Sequence, residues 1–133
     1  MNGILNINTI LKNIDPVLSK EEYVFCTFEN ATYGEFAELS PIAAYAETEG
    51  LTLVISKAAA IANDIHFETT FKAITLRVHS SLNAVGLTAA VSGLLAEHGI
   101  SANILAAFYH DHVFVQSAKA EQALKLLKEL QSR

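Results

Sequence analysis

His110-Asp111-His112 sets two imidazoles around one carboxylate, and His79 adds a third nitrogen donor upstream. Imidazole nitrogen and carboxylate oxygen are the ligand set of a divalent metal site. The spacing argues against one: no Cys2His2 or His-Glu-x-x-His pattern is present. An Asp in a tight turn also tends to hydrogen-bond its own backbone. Ser80, His112 and Asp111 can be written as a hydrolytic triad. However, Asp111 and His112 are adjacent, so they point to opposite faces, and no nucleophile-elbow sequence surrounds Ser80. A different chemistry fits Ser80, Ser81, Asn83 and Gly86, which lead into an apolar helical stretch. Such a loop presents free backbone N–H groups at the positive end of the helix dipole, which suits a carboxylate or phosphate. Ser81 or Asn83 is also a candidate N-cap, which would satisfy one of those donors internally. The residues point to a receptor for an anion-bearing small molecule, not to a catalyst, with no cofactor and no metal.

Composition narrows the class. The chain has 133 residues, 51% of them hydrophobic, and a net charge of −5. An acidic chain of this size lacks the basic footprint that nucleic acid or an anionic membrane requires. Its apolar surplus, with a mean hydropathy of +0.30, suggests a buried subunit interface and hence a homo-oligomer. The lone Cys26 lies in an apolar strand-like run and reads as an inert buried thiol. The first residues carry no basic region or cleavage site of a signal peptide. No apolar run reaches the roughly 18 residues of a membrane span. The expectation is a cytoplasmic protein.

The elements that position these residues follow from periodicity. Ile4, Ile7, Leu11 and Ile14 predict a helix over 3–14, stopped by Asp15-Pro16. A strand is predicted over 22–28 and a short helix over 33–39. Strands at 42–46 and 51–56 flank the turn Glu47–Gly50, and Ser56 caps a short helix through Asn63. Glu47 and Glu49 are candidate partners for a ligand ammonium, although turn carboxylates are commonly solvated. Tyr33, Phe36 and Tyr45 are expected to pack between the two halves. The second half predicts a strand over 71–78 and a helix over 84–98 ended by Gly99, with Leu87, Val91, Leu94 and Leu95 as its apolar stripe. A strand over 100–108, a turn at 109–112 and a return strand over 113–116 follow. Ser117 then caps a last helix, with Ala120, Ala123, Leu124, Leu127 and Leu130 facing inward. Asn103, in an apolar strand beside Ile104, needs a polar partner if buried.

Both halves thus read β-α-β-β-α, with a seam at 64–70, giving an N-terminal half over 1–66 with an extra first helix and a C-terminal half over 67–133. The fold class is α+β: antiparallel sheets covered by helices on one face. Each half is one strand short of the ferredoxin-like unit. The missing strand must come from the other half or from a second chain.

The stretch HSSLNAVGLTAAVSGLLAEHGISANI, the following YHDHVFV, and SPIAAYAETEGLTLVIS in the first half together resemble a family of small bacterial proteins built from two ACT-like domains. The resemblance implies two ferredoxin-like halves and amino-acid binding at an interface between paired domains. It also implies regulation of an enzyme or transporter in place of catalysis. In such domains the turn after the first strand and the start of the following helix line the ligand site. Carried onto this chain, that assigns Ser80, Ser81, Leu82, Asn83, Ala84, Val85 and Gly86, with Asn103 and Ile104 on the next strand facing the ligand. The ligand carboxylate would sit on the Ser81–Gly86 turn, its ammonium near Asn103 or an acidic group of the facing half. The first half has a very short helix and lacks the extended Ser/Gly pattern after its first strand. A ligand-free module that assembles with an enzyme or transporter is the alternative.

Overall fold

The computed structural model describes residues 3–133; residues 1 and 2 of the expected N-terminal half lie outside the described residues. Packing gathers the residues up to Lys20 with Lys72–Arg133 in one compact unit, and Glu21–Phe71 in a second.

The larger unit opens with helix α1 (Ile7–Lys12) and strand β1 (Pro16–Leu18). It resumes with β5 (Phe71–Leu76), helix α3 (Leu87–Glu97), the hairpin β6 (Asn103–Ala106) and β7 (Asp111–Gln116), and helix α4 (Ala120–Ser132). β1 pairs antiparallel with β5, Pro16 opposite Leu76 and Leu18 opposite Ile74. β5 lies beside β7, and β7 beside β6, with Asn103 opposite Phe114 and Ala106 opposite Asp111. The strand that the C-terminal half lacked is thus β1, from the start of the same chain.

One core joins the sheet to the three helices. Ile74 and Leu76 of β5 and Val113 and Val115 of β7 pack against Ile10, Val91, Leu95 and Leu127. Because strand residues alternate faces, this parity turns Asp111 toward the helices and His112 away from them. In α4, Leu126 is buried with Ala120, Ala123, Leu127 and Leu130, while Leu124 packs at the margin.

The smaller unit contains β2 (Tyr23–Phe28), β3 (Ala43–Ala46), β4 (Leu51–Ser56) and helix α2 (Lys57–Ala62). β4 pairs antiparallel with both β2 and β3. Val24, Leu51, Leu53 and Ile55 form its core with Ala60 and Leu39. Ser56 caps α2, its Oγ accepting from Ala59 N at 3.1 Å. The turn Glu47–Gly50 closes on two backbone hydrogen bonds, 3.0 and 3.2 Å.

Several expectations need correction. The helix expected over 3–14 is confined to Ile7–Lys12 because Ile4 is held in extended pairing, its N–H donating to His79 O at 2.8 Å. The helix expected over 33–39 is only a 3-10 turn, Ala37–Leu39, so the smaller unit lacks a helix between its first two strands. α3 starts at Leu87, not at residue 84, because Gly86 has φ +108°, outside the helical region. α4 is preceded by a 3-10 turn over Ser117–Lys119, and its N-cap is Lys119, not Ser117. β6 covers Asn103–Ala106 only, and β7 begins at Asp111. Tyr33 and Tyr45 are 82% and 72% exposed, so neither is packed away as expected; Phe36 stacks on Phe28 with ring centroids 4.0 Å apart.

Candidate functional site

The site grows from the chain between β5 and α3. Past Leu76 the backbone bends at Val78, with Ser80 N donating to Val78 O at 3.1 Å, and Ser80 bridges to Ile4; Ser81 N donates to Ile4 O at 2.8 Å. This contact needs a glycine beside it. A Cβ on Gly3 would lie 2.5 Å from the Ser80 carbonyl carbon and 2.6 Å from Ser81 N. Ser81 then closes a turn: its Oγ accepts from Asn83 N at 3.1 Å, and its carbonyl accepts from Ala84 N at 2.9 Å. Its hydroxyl is therefore committed to this turn and not to the helix.

The N-cap of α3 is Gly86, which offers no side-chain hydrogen bond. The first-turn amides of Leu87, Thr88 and Ala89 have no partner inside the helix, since the intrahelical ladder starts only at the fourth residue. Ala90 N donates to Gly86 O at 2.9 Å, which marks where the ladder begins. The helix dipole adds partial positive charge at the same end.

A cleft of about 510 Å³ opens at this helix end. Its polar lining comes from Ser80, Ser81, Thr88 and Asp111. Ser80 is buried, 8% exposed. Asp111 reaches the cleft from the first position of β7, on the face that the alternation of the strand assigns to the helices. Burial pushes its carboxyl above the ordinary aspartate value, against the pull of His112 and His110. A set of helix-terminal amides and a half-buried carboxylate thus face one volume. Together they can take an anion at one end and a cation at the other.

Of the residues singled out from sequence, Ser80, Ser81, Leu82, Ala84, Val85 and Gly86 line this cleft. Asn83 lines a smaller hollow of about 180 Å³ with His79 and Phe108, which Ser80, Ser81 and Leu82 also border. Asn103 and Ile104 are not brought to the cleft. Asn103 is exposed, and its Nδ2 donates to Phe114 O across the hairpin at 3.4 Å; Ile104 packs against the core. Sequence reasoning missed Leu87, Thr88 and Ala89, the amides of the true first turn, and it missed Asp111 as a lining carboxylate. The signal for Asp111 was a four-residue hairpin loop, which puts Asp111 in the strand and not in the turn.

The histidines do other work. His112 Nδ1 and Thr75 Oγ1 share a hydrogen bond of 2.9 Å. Burial and the neighbouring His110 hold the His112 imidazole below its ordinary pKa, with Asp111 pulling the other way. His79 packs against Tyr109 and Phe108, with centroids 5.2 and 6.3 Å away. Among the described residues no group of three His, Cys, Asp or Glu side chains lies close enough together to hold a metal ion. Among them, too, no helix is long and apolar enough to cross a membrane. Glu47 accepts from the Thr52 hydroxyl. Cys26 is half-buried, its Sγ directed to Leu53 O at 3.6 Å, and burial raises its pKa.

Comparison with known proteins places this architecture. Two family models described as ACT domain match residues 2–72 and 68–129. A Vibrio cholerae protein of unknown function, described as a possible transport protein, is 46% identical; the match covers 94% of this chain and 95% of that one, with a TM-score of 0.85. An Agrobacterium tumefaciens protein is 17% identical, with 84% of each chain covered and a TM-score of 0.68. The regulatory subunit of aspartate kinase from Thermus thermophilus is 12% identical, covering 86% of this chain and 95% of that chain at a TM-score of 0.59. The last two likenesses concern the fold. A search of curated proteins returns no match.

Proposed function

The chain belongs to the ACT-domain family, and on that premise we propose that it is a non-catalytic regulatory protein that binds an amino acid in the cleft at the start of α3. The observation that carries this reading is the convergence of two groups on that volume: the uncapped first turn of α3 and the carboxylate of Asp111. The α-carboxylate takes the amides of Leu87, Thr88 and Ala89, as anions do at helix N-termini. The α-ammonium takes Asp111 in a charge-assisted hydrogen bond. Asp111 replaces Asn103 in the role first considered, since Asn103 is already engaged across its hairpin.

Regulation would follow by linkage. A ligand that prefers one arrangement of the protein shifts it by its differential affinity and by no more. The regulated partner in this reading is an enzyme or a transporter; the description of the Vibrio cholerae relative as a possible transport protein favours the latter.

Four exposed apolar side chains support a second, compatible reading, assembly through this end of the unit. Leu82, Val85, Phe108 and Tyr109 are 63%, 83%, 59% and 59% exposed. Exposed apolar groups of this size mark interaction surfaces, and a homo-oligomer would cover them.

The test is a thermal-shift screen of the full chain against the twenty amino acids. A ligand at 100 times its dissociation constant adds about 2.7 kcal/mol of stability, so a hit raises the melting temperature visibly. A flat response at millimolar concentrations refutes amino-acid binding and leaves assembly as the function.

A further inference from the structure

We propose that the exposed face of α4 pairs antiparallel with α4 of a second copy of this chain, in a register set by charge. This face shares no residue with the α3 cleft or with the apolar group Leu82, Val85, Phe108 and Tyr109, so its test does not depend on ligand binding.

The first support is the order of the charges. Glu121, Lys125, Glu129 and Arg133 alternate in sign at four-residue intervals, which sets them in one row along the helix. The helix buries Ala120, Ala123, Leu126, Leu127 and Leu130, and the charged row lies exposed on the other side. A second α4 can be turned end for end about a two-fold axis level with Leu127. Glu121 then stands level with Arg133 of the second copy, and Lys125 with Glu129 of the second copy. The two-fold repeats both pairs, so every pair across the seam is of opposite sign. A parallel pairing would set each charge against its own copy. Antiparallel helices also place opposite dipole ends side by side.

The second is that the row is not closed on itself. Among the described residues none of these four charges is in an ion pair.

The third is the shape of the face. A groove of about 570 Å³ lies along it, and all its lining comes from α4 and the C-cap Arg133. A groove walled by one helix alone is half of a helix–helix seam. Leu124 lines it and is only partly buried against the core. The aliphatic stems of Lys125, Lys128 and Arg133 extend this apolar strip, while their charged heads stay in water at the rim. Exposed ion pairs add little affinity each. The charges therefore select the partner and the register, and the dimer is reversible and weakened by salt.

The experiment is sedimentation equilibrium of the full chain at low and high salt, with Lys125→Glu and Glu129→Lys each alone and then mixed in equal amounts. The wild type should show a monomer–dimer equilibrium that moves toward monomer at high salt. Each single variant sets like charges against each other at two symmetry-related places, so its dimer should weaken by about tenfold or more. Mixed, the two variants regain opposite signs at every pair and should dimerise as the wild type does. Pairing within one helix is left unchanged by mixing, so this restoration separates the seam from a merely local effect. Glu121→Lys and Arg133→Glu form a second such set should either of the first two variants fail to fold. A wild type that stays monomeric at millimolar concentration and low salt overturns the proposal. So does a dimer that neither reversal weakens, or a pair of variants that stay apart when mixed.

Discussion

Gly3 lies so close to Ser80 that a Cβ at position 3 would stand 2.5 Å from the Ser80 carbonyl carbon. The segment Gly3–Ile4 therefore serves as the backing of the site loop, held by the hydrogen bonds from Ile4 N to His79 O and from Ser81 N to Ile4 O. The contact is backbone on backbone, so it cannot relax by a side-chain rotation.

Gly3→Ala should accordingly displace residues 79–81. The expected cost is about 1–3 kcal/mol, the usual range for forcing an extra carbon into a packed site, with ligand affinity falling alongside. Gly93→Ala is the contrast. Gly93 is exposed within α3 and has nothing within 4 Å of its Cβ position. That change should stabilise by about 1 kcal/mol through helix propensity and leave binding intact. Chemical denaturation and titration of both variants check the pair.

Gly86 sets the direction of the first turn of α3. Its φ of +108° is open to glycine and strained for other residues, and a Cβ there would also touch the Ile7 side chain at 3.5 Å. Gly86→Ala should cost about 1–3 kcal/mol and reduce binding, because the amides of Leu87, Thr88 and Ala89 turn with it. A Gly86→Val protein that folds and binds normally would show that the turn does not hold the ligand.

Asp111 should trade stability for binding. Its pKa is raised by burial, so the folded state favours the protonated form more than the unfolded state does. Its contribution to stability is full below the ordinary aspartate value and is lost as pH rises through the raised value. Asp111→Asn should therefore raise the melting temperature of the free protein at neutral pH. Affinity moves the opposite way. The carboxylate form binds the ammonium, so ligand binding should weaken as pH falls through the raised pKa, and the Asn variant should lose about tenfold or more. Charge-assisted hydrogen bonds are worth roughly 1.5–3 kcal/mol. Melting and titration across pH 3 to 7 read both signs.

His112 predicts a separate pH effect. Its pKa is lowered from 6.5, chiefly by burial and by His110, so the unfolded chain takes up the proton first. Stability should be full above the ordinary histidine value and decline as pH falls through the window between that value and the lowered one. His112→Gln should flatten this decline in melting temperature. An unchanged pH profile would place the acid sensitivity elsewhere.

The parts legible in sequence were those that local chemistry decides. Ser56 as a cap, the Glu47–Gly50 hairpin, the stripe Leu87, Val91, Leu94 and Leu95, and the stop at Gly99, where φ is +72°, each follow from residues within one turn or two. β1 was invisible because three residues opened by a proline show no alternation; it is a strand only because β5 pairs with it, some sixty positions away. The same holds for Gly3 against Ser80. In the site, the loop Ser80–Gly86 could be marked by its residue types and by family resemblance. Asp111 could not, because its role depends on the register that sets it opposite Ala106. Asn103 shows the converse: a polar residue in an apolar strand suggested a ligand, and in the fold its Nδ2 donates across the hairpin to Phe114 O.

The most direct test is a set of backbone amide chemical shifts recorded while each of the twenty amino acids in turn is titrated into the full protein. The account predicts shifts that saturate with ligand and centre on Ser80, Leu87, Thr88, Ala89 and Asp111. Saturable shifts centred elsewhere, or none with any of them at millimolar concentration, would contradict it.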